Sequence, residues 1–260
     1  MRPLLPAVAA TTVLVLAAVL PSGRAAETVD CTPVIDTSSI SLAPRTLAVT
    51  ATGYQTLQFS AAFTAACGED NGSDLDAAVI FSSPDLDGSS LLEASDGIYP
   101  STDPHSYGVS ALDHILSGDL ENSFAGTWTT EVSVTDTADD SAHSYDDEPG
   151  PTIRVLRAAK VTATATPEPV EKGHSITVTG ALARANWDTR KDGPYAKRAV
   201  KLQFRTTSGT YATVKTVTST SKGKLHATVA AQQDGYYRYA FVGSSTTARA
   251  ISRGDFVDVS

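Results

Sequence analysis

An all-β fold in two successive sandwiches is what this sequence predicts, on three observations. Short runs that alternate apolar with polar residues, or are rich in β-branched residues, recur along the chain with the period of strands rather than of helices. Clusters of Gly, Pro, Asp and Ser separate them, as turns between strands require. The charge also reverses sharply near Pro149-Gly150-Pro151, as it does where two units with separate fields meet. A chain of 260 residues, 41% hydrophobic and 19% charged, can bury a core in one or two domains and is not wholly disordered.

Taken in order, residues 1–25 read as a secretory signal peptide. Arg2 starts it, an apolar stretch runs from Leu4 to Leu20, and the small residues after Pro21 allow cleavage after Ala25. Cys31 follows Thr28-Val29-Asp30 rather than the apolar stretch, so lipid attachment is not expected. No later apolar run approaches the roughly 18 to 20 residues that cross a bilayer, so no membrane insertion is expected after cleavage. The expected location is extracellular. In that oxidising space the only two cysteines, Cys31 and Cys67, are expected to pair. The loop they close restricts the unfolded chain by roughly 4 kcal/mol.

Residues 26–157 form the first expected domain. Up to residue 150 it carries 22 acidic side chains against Arg45 alone, a net charge of −21. Strands are expected at Leu47–Thr50, Leu57–Ala65, Ala77–Phe81, Trp128–Thr135 and Ile153–Leu156. The run Ser110-Ala111-Leu112-Asp113 opens like a helix cap, with Leu112, Ile115 and Leu116 at helical spacing, so one short helix is expected there.

Residues 158–260 form the second. From residue 151 onward, 17 Lys and Arg stand against 7 Asp and Glu, a net charge of +10. Strands are expected at Val161–Thr166, Ser175–Leu182, Val200–Arg205, Tyr211–Val217, Leu225–Ala230, Tyr237–Phe241 and Asp255–Val259. Seven strands in about 100 residues is the count of an immunoglobulin-like sandwich. Gly126-Thr127-Trp128 and Gly235-Tyr236-Tyr237 form a faint repeat between the halves. The second of these has the form of a corner where a tyrosine hydroxyl pins nearby backbone, an arrangement Trp128 matches only in part because it has no hydroxyl.

The stretches Lys172-Gly173-His174-Ser175-Ile176-Thr177-Val178-Thr179-Gly180, Arg184-Ala185-Asn186-Trp187, Val200-Lys201-Leu202-Gln203-Phe204-Arg205 and Gly254-Asp255-Phe256-Val257-Asp258-Val259 resemble exported actinobacterial proteins with immunoglobulin-like repeats. The resemblance covers Gly126 to Ser260 and carries fold rather than activity. It transfers no catalytic residues.

Candidate sites follow from chemistry. Asp70, Asp74 and Asp76, and then Asp85 and Asp87 with Glu93, crowd carboxylates in short loops. Such loops either ligate calcium, which takes several oxygens from a flexible loop, or are ordinary solvated turns. A third acidic group, Asp136 to Glu148, falls in an expected strand connection. The segment from Asn186 to Arg198 joins two expected strands. Trp187 and Tyr195 there are either stacking faces beside Arg190 and Lys191 for an anionic ligand, or cover for a sandwich end. Phe204, Tyr236, Tyr237 and Tyr239 lie in strand-like runs and read as packing, so no nucleic-acid partner is expected. The five histidines are scattered and no H-E-x-x-H, G-x-S-x-G or S-x-x-K pattern occurs, so no catalytic residue and no enzyme are expected.

The expected function is a secreted interaction or structural module whose partner is an extracellular protein or wall polymer, with no cofactor. Calcium or anionic wall-polymer binding is the alternative, and an enzyme without a recognisable motif the third reading. The opposite charges of the two halves also allow charge-driven self-association.

Overall fold

A computed structural model describes residues 32–66, 74–83, 92–94, 97–103, 105–136 and 144–260. The signal peptide, Cys31, Cys67, Asp70, Asp85 and Asp87 lie outside the described residues.

Among the described residues strands predominate and helix is confined to short turns. The first sandwich contains β1 (Val34–Ala43), β2 (Thr46–Val49), β3 (Tyr54–Thr64), β4 (Leu75–Ser82), β5 (Leu92–Ala94), β6 (Ile98–Pro100), β7 (Ser106–Leu116), β8 (Gly126–Asp136), β9 (Ser144–Pro149) and β10 (Ile153–Arg157). One sheet has the order β1-β3-β7-β6, the other β2-β10-β8-β4-β5, with β9 also on β8. The chain changes sheets between β1 and β2, at Pro44, where a missing N–H breaks no ladder. Leucine, valine and phenylalanine at alternate positions fill the space between the sheets, around Leu57, Phe81 and the fully buried Trp128.

Two expectations change. Where a short helix was expected, Ser106–Leu116 is a strand, paired with β3 over eleven positions from Tyr54↔Leu116 to Thr64↔Ser106. Tyr107, Val109, Ala111 and Ile115 are buried on one side while Leu112 and Leu116 are exposed. That period of two, satisfied along a full ladder, outweighs a local capping signal. Two short 3₁₀ turns follow, Ser117–Asp119 and Asn122–Phe124. The acidic run placed in a connection is partly strand as well, since β9 pairs with β8 from Glu131↔Pro149 to Asp136↔Ser144. Asp146 there accepts a hydrogen bond from the backbone N–H of Ile35 on the facing sheet at 2.8 Å.

The charge reversal therefore falls inside the first sandwich. Gly150 and Pro151 interrupt a single line of pairing along β8, with β9 before them and β10 after. Gly150 donates to the Thr130 carbonyl at 2.8 Å, and the Thr130 hydroxyl to the Pro151 carbonyl at 2.9 Å. A Cβ at position 150 would lie 2.3 Å from that hydroxyl, so only glycine fits the stitch.

The second sandwich contains β11 (Ala159–Val161), β12 (Thr164–Thr166), β13 (Ser175–Asn186), β14 (Lys191–Pro194), β15 (Ala199–Arg205), β16 (Ala212–Thr218), β17 (Lys224–Ala230), β18 (Gly235–Phe241), β19 (Ala250–Ile251) and β20 (Asp255–Val257). In one sheet β13 pairs β11, β12, β14 and β17; in the other the order is β16-β15-β18-β19, with β20 also on β18. The core holds Ile176, Leu182, Leu202 and Tyr239.

Each sandwich pins a late strand through an aromatic polar group. Trp128 does so with its indole N–H, which donates to the Phe124 carbonyl at 2.7 Å. In the second sandwich the tyrosine is Tyr239, whose hydroxyl donates across the core to the Val178 carbonyl at 2.8 Å. Burial pushes the Tyr239 phenol up to about 12, above the ordinary value of about 10. Folding therefore favours the protonated form. Its stabilisation is complete below pH 10 and fades as pH rises through 12, at about 1.4 kcal/mol per unit. Urea unfolding of the chain from pH 9 to 12 should show that decline, to which Tyr237 adds because burial raises its phenol too, and Tyr239→Phe should reduce it while costing about 1 kcal/mol at pH 7.

Candidate functional site

The segment singled out between two strands, Asn186 to Arg198, forms the joint between the sandwiches. β10 ends at Arg157, a single residue follows, and β11 begins at Ala159. That residue, Ala158, commits its N–H to the Val49 carbonyl of the first sandwich and its carbonyl to the Ala185 N–H of the second, both at 2.8 Å. No slack remains in the connection.

Trp187 follows β13 of the second sandwich, yet its side chain is 0% exposed and belongs to the core of the first. Its indole N–H reaches the Val49 carbonyl at 3.2 Å and its backbone N–H the Asn122 Oδ1 at 3.0 Å. Asn122 in turn donates through Nδ2 to Asn186 Oδ1 at 2.8 Å and to Asp188 Oδ2, and through its backbone N–H to Asp188 Oδ1 at 2.9 Å. Arg190, at a φ of 55°, turns its guanidinium onto the carbonyls of Ser117, Gly118 and Leu120. The two 3₁₀ turns of the first sandwich thus supply the socket and the β13–β14 turn the plug.

A second line of contacts runs along the other side of the connection. Arg157, 6% exposed, donates through Nε to the Ala185 carbonyl at 2.6 Å. Its backbone bonds Thr246 and Ala248 of the β18–β19 connection at 3.2 and 2.9 Å. Burial, and then the neighbouring Arg184 cation, push its pKa down to about 10, which leaves it charged at neutral pH. Arg154 donates to the Ser244 carbonyl at 3.0 Å. A cleft of about 550 Å³ lies beside these contacts, with Arg154, Leu156, Ser244 and Arg249 among its walls.

The four residues considered for ligand recognition do not share an open surface. Trp187 offers no ring face to solvent, and Arg190 spends its donors on backbone carbonyls. Tyr195 is buried, with the guanidinium of Arg184 4.2 Å and that of Arg198 4.7 Å from its ring centre. Burial alone would raise its phenol, but hydrogen bonds to Ser244 and Thr247 and the two cations outweigh this and lower it. Lys191 is exposed at the start of β14. Of the acidic loop residues, Asp74 sits in the turn before β4 and Asp76 on the exposed side of that strand. Among the described residues no three His, Cys, Asp or Glu side chains converge as a metal cluster. Asn122 had no signal of its own in the sequence. The length of the 186–198 connection and its tryptophan were the only pointers to the joint.

Replacing Arg190 by Ala should loosen the plug without emptying a core. It should lower the melting temperature by several degrees, for a loss of about 1 to 3 kcal/mol as three carbonyls lose a charged donor. Calorimetry on the mature chain checks this, and an unchanged melting temperature would show that the contacts carry no weight.

The two pairs of facing sheets define a tandem immunoglobulin-like β-sandwich protein. No family model matches the chain, and no curated protein does. Among solved structures, a marsupial T cell receptor is similar at 10% identity and a TM-score of 0.39, over 88% of this chain and 73% of that one. The fibronectin(III)-like modules of Clostridium thermocellum CbhA are similar at 11% identity and 0.33, over 85% and 93%. The Yersinia pseudotuberculosis adhesin InvE is similar at 13% and 0.28, over 86% and 60%. The fold class rests on the sheets themselves.

Proposed function

We propose that this protein is an exported, non-catalytic interaction module in which two sandwiches, acidic and basic, are held at a fixed angle to engage an extracellular protein or wall polymer. The joint carries this reading. A tryptophan from one sandwich buried in the core of the other, an Asn-Asp-Asn cluster, two committed arginines and a one-residue connection are far more than a flexible linker needs. Independent sandwiches are usually joined by exposed linkers with few crossing contacts, and a held geometry lowers the ordering cost of binding a large partner.

Export belongs to the same reading. Among the described residues no helix is long and apolar enough to cross a membrane. The Cys31–Cys67 pairing belongs to it as well, since two cysteines in an oxidising compartment pair unless something protects them.

The test is tumbling. Amide ¹⁵N relaxation on the mature chain should give one rotational correlation time for both sandwiches, and two distinct times would end the fixed-geometry reading. Retention of the mature protein on purified cell envelope, with and without a chelator, then separates a polymer or protein partner from a calcium-dependent one. No retention in either condition would count against the interaction module.

A further inference from the structure

The outward face of the β15–β18 sheet carries side chains unlike those on the rest of the second sandwich. Gln203 and Arg205 on β15, Tyr236 and Arg238 on β18 and Phe256 on β20 alternate with inward residues such as Leu202, Tyr237, Tyr239 and Val257. The register sets Arg205 beside Tyr236, Gln203 beside Arg238, and Tyr236 beside Phe256. Tyr211, just ahead of β16, joins them. The Arg238 guanidinium lies 3.5 Å from the centre of the Tyr211 ring, and that of Arg205 5.2 Å from the same ring and 4.3 Å from the ring of Tyr236. Tyr236 and Phe256 are 5.1 Å apart. Gly254 makes room for the array, since a Cβ there would lie 2.3 Å from the Tyr211 hydroxyl.

The opposite outward face of the same sandwich is the internal comparison. On β12, β13 and β17 it presents Thr164, Thr166, Thr177, Thr179, His226 and Thr228, an ordinary solvated surface. Three aromatic rings and two arginines on one face are not needed to cover a sheet that threonines cover equally well on the other.

The arginines are held but not used up. Arg238 donates through Nε to Gln203 Oε1 at 2.9 Å, and Arg205 through Nη1 to the carbonyls of Thr206 and Thr207 at 3.0 and 2.6 Å. Of the five N–H groups on each guanidinium, most keep no protein acceptor here. Both are only partly exposed, and both lie over aromatic rings. The outward positions of β15, β18 and β20 include Lys201, Arg205 and Arg238 and no acid. Asp234, at the strand end, is turned to the Val259 N–H at 2.8 Å.

We propose that this face is a binding platform for an extended acidic polysaccharide, with sugar rings packed on Phe256 and against the edges of Tyr211 and Tyr236, whose faces the guanidiniums share, and anionic groups taken by Arg205 and Arg238. The chemistry selects that class. A planar guanidinium matches carboxylate or phosphate in a two-pronged geometry. An aromatic ring offers an apolar face to the C–H face of a sugar, and Gln203 suits hydroxyl groups. Stacking the arginines beforehand removes part of the ordering cost of binding. The inference deepens the module reading by naming a partner class and a surface, and it stands or falls separately from the joint.

Calorimetry on the full mature chain tests it with three polymers. Polygalacturonate supplies rings and carboxylates, polyphosphate supplies charge without rings, and dextran supplies rings without charge. Polygalacturonate should bind, polyphosphate at least ten-fold more weakly, and dextran not measurably. Arg205→Ala with Arg238→Ala, and separately Tyr211→Ala with Tyr236→Ala, should each weaken polygalacturonate at least ten-fold at an unchanged fold by far-ultraviolet circular dichroism. The charge-matched control Lys224→Ala with Arg249→Ala should leave it unchanged. If an aromatic pair fails to fold, Gln203→Ala replaces it, with a smaller loss expected. No binding by polygalacturonate overturns the proposal, as do equal binding of polyphosphate or an equal loss in the control. Concentration-dependent dimers abolished by the Arg205 and Arg238 changes would overturn it too, by assigning the face to the acidic sandwich of a second copy. A chain that tumbles as one body yet ignores polygalacturonate removes this inference and leaves the fixed module standing.

Discussion

Trp187→Ala should destabilise a sandwich that Trp187 does not belong to by sequence. Emptying the site of a fully buried indole costs about 3 to 5 kcal/mol, with a cavity left in the first core. Because Trp187, Asn122 and Arg190 also tie the two bodies together, the variant should unfold in two steps where the native chain unfolds in one. Trp187→Phe separates the contributions. It keeps most of the packing, gives up the hydrogen bond to Val49, and should cost about 1 to 2 kcal/mol with unfolding still in one step. Denaturant titrations followed by probes in each sandwich decide the matter. A Trp187→Ala chain of native stability, or a native chain already unfolding in two steps, would refute the plug.

The second large effect is expected from the cysteines. Cys31→Ser with Cys67→Ser, or reduction of the native chain, should lower stability by roughly 4 kcal/mol through the wider unfolded ensemble. The loss originates in the first sandwich, where β1 pairs with β3, and should lower the midpoint of the single transition that the two coupled sandwiches share. Thiol titration of the mature protein under denaturing conditions supplies the direct check. Two free thiols in freshly secreted protein would dispose of the pairing and of the support it lends to export.

What the sequence disclosed, and what it hid, follows from the range of each interaction. β3, β4, β8 and most strands of the second sandwich were legible because their alternation is local. β7 was not. Its Ser110 to Leu116 half carries a capping signal and helical spacing that only the eleven-position ladder with β3 overrides, and a ladder partner about fifty residues away leaves no local mark. β9 was hidden by its charge. Acidic residues usually mean turns, and this strand is held by β8 and by the carboxylate of Asp146 on Ile35. The 186–198 segment stood out by length and composition. Whether its tryptophan faced solvent or a core depended on Val49 and Asn122, more than sixty residues away in sequence. The array on the outer face was visible as aromatics within strands, but strand periodicity alone left Tyr236 with its packed neighbours. Only the positions of Arg205 and Arg238 over the rings distinguish it.

The parallel pairing of β2 with β10, from Thr46↔Arg154 to Val49↔Arg157, has a mechanical consequence. A pull on the two ends of the first sandwich draws β2 toward its N-terminus and β10 toward its C-terminus, opposite directions along one ladder. The rungs are then loaded in shear and must rupture together rather than unzip in turn. Since β10 continues through Ala158 into the second body with no slack, tension passes from one sandwich to the next without first stretching a tether. Forced extension should accordingly meet this ladder as soon as β1 has been drawn off β3.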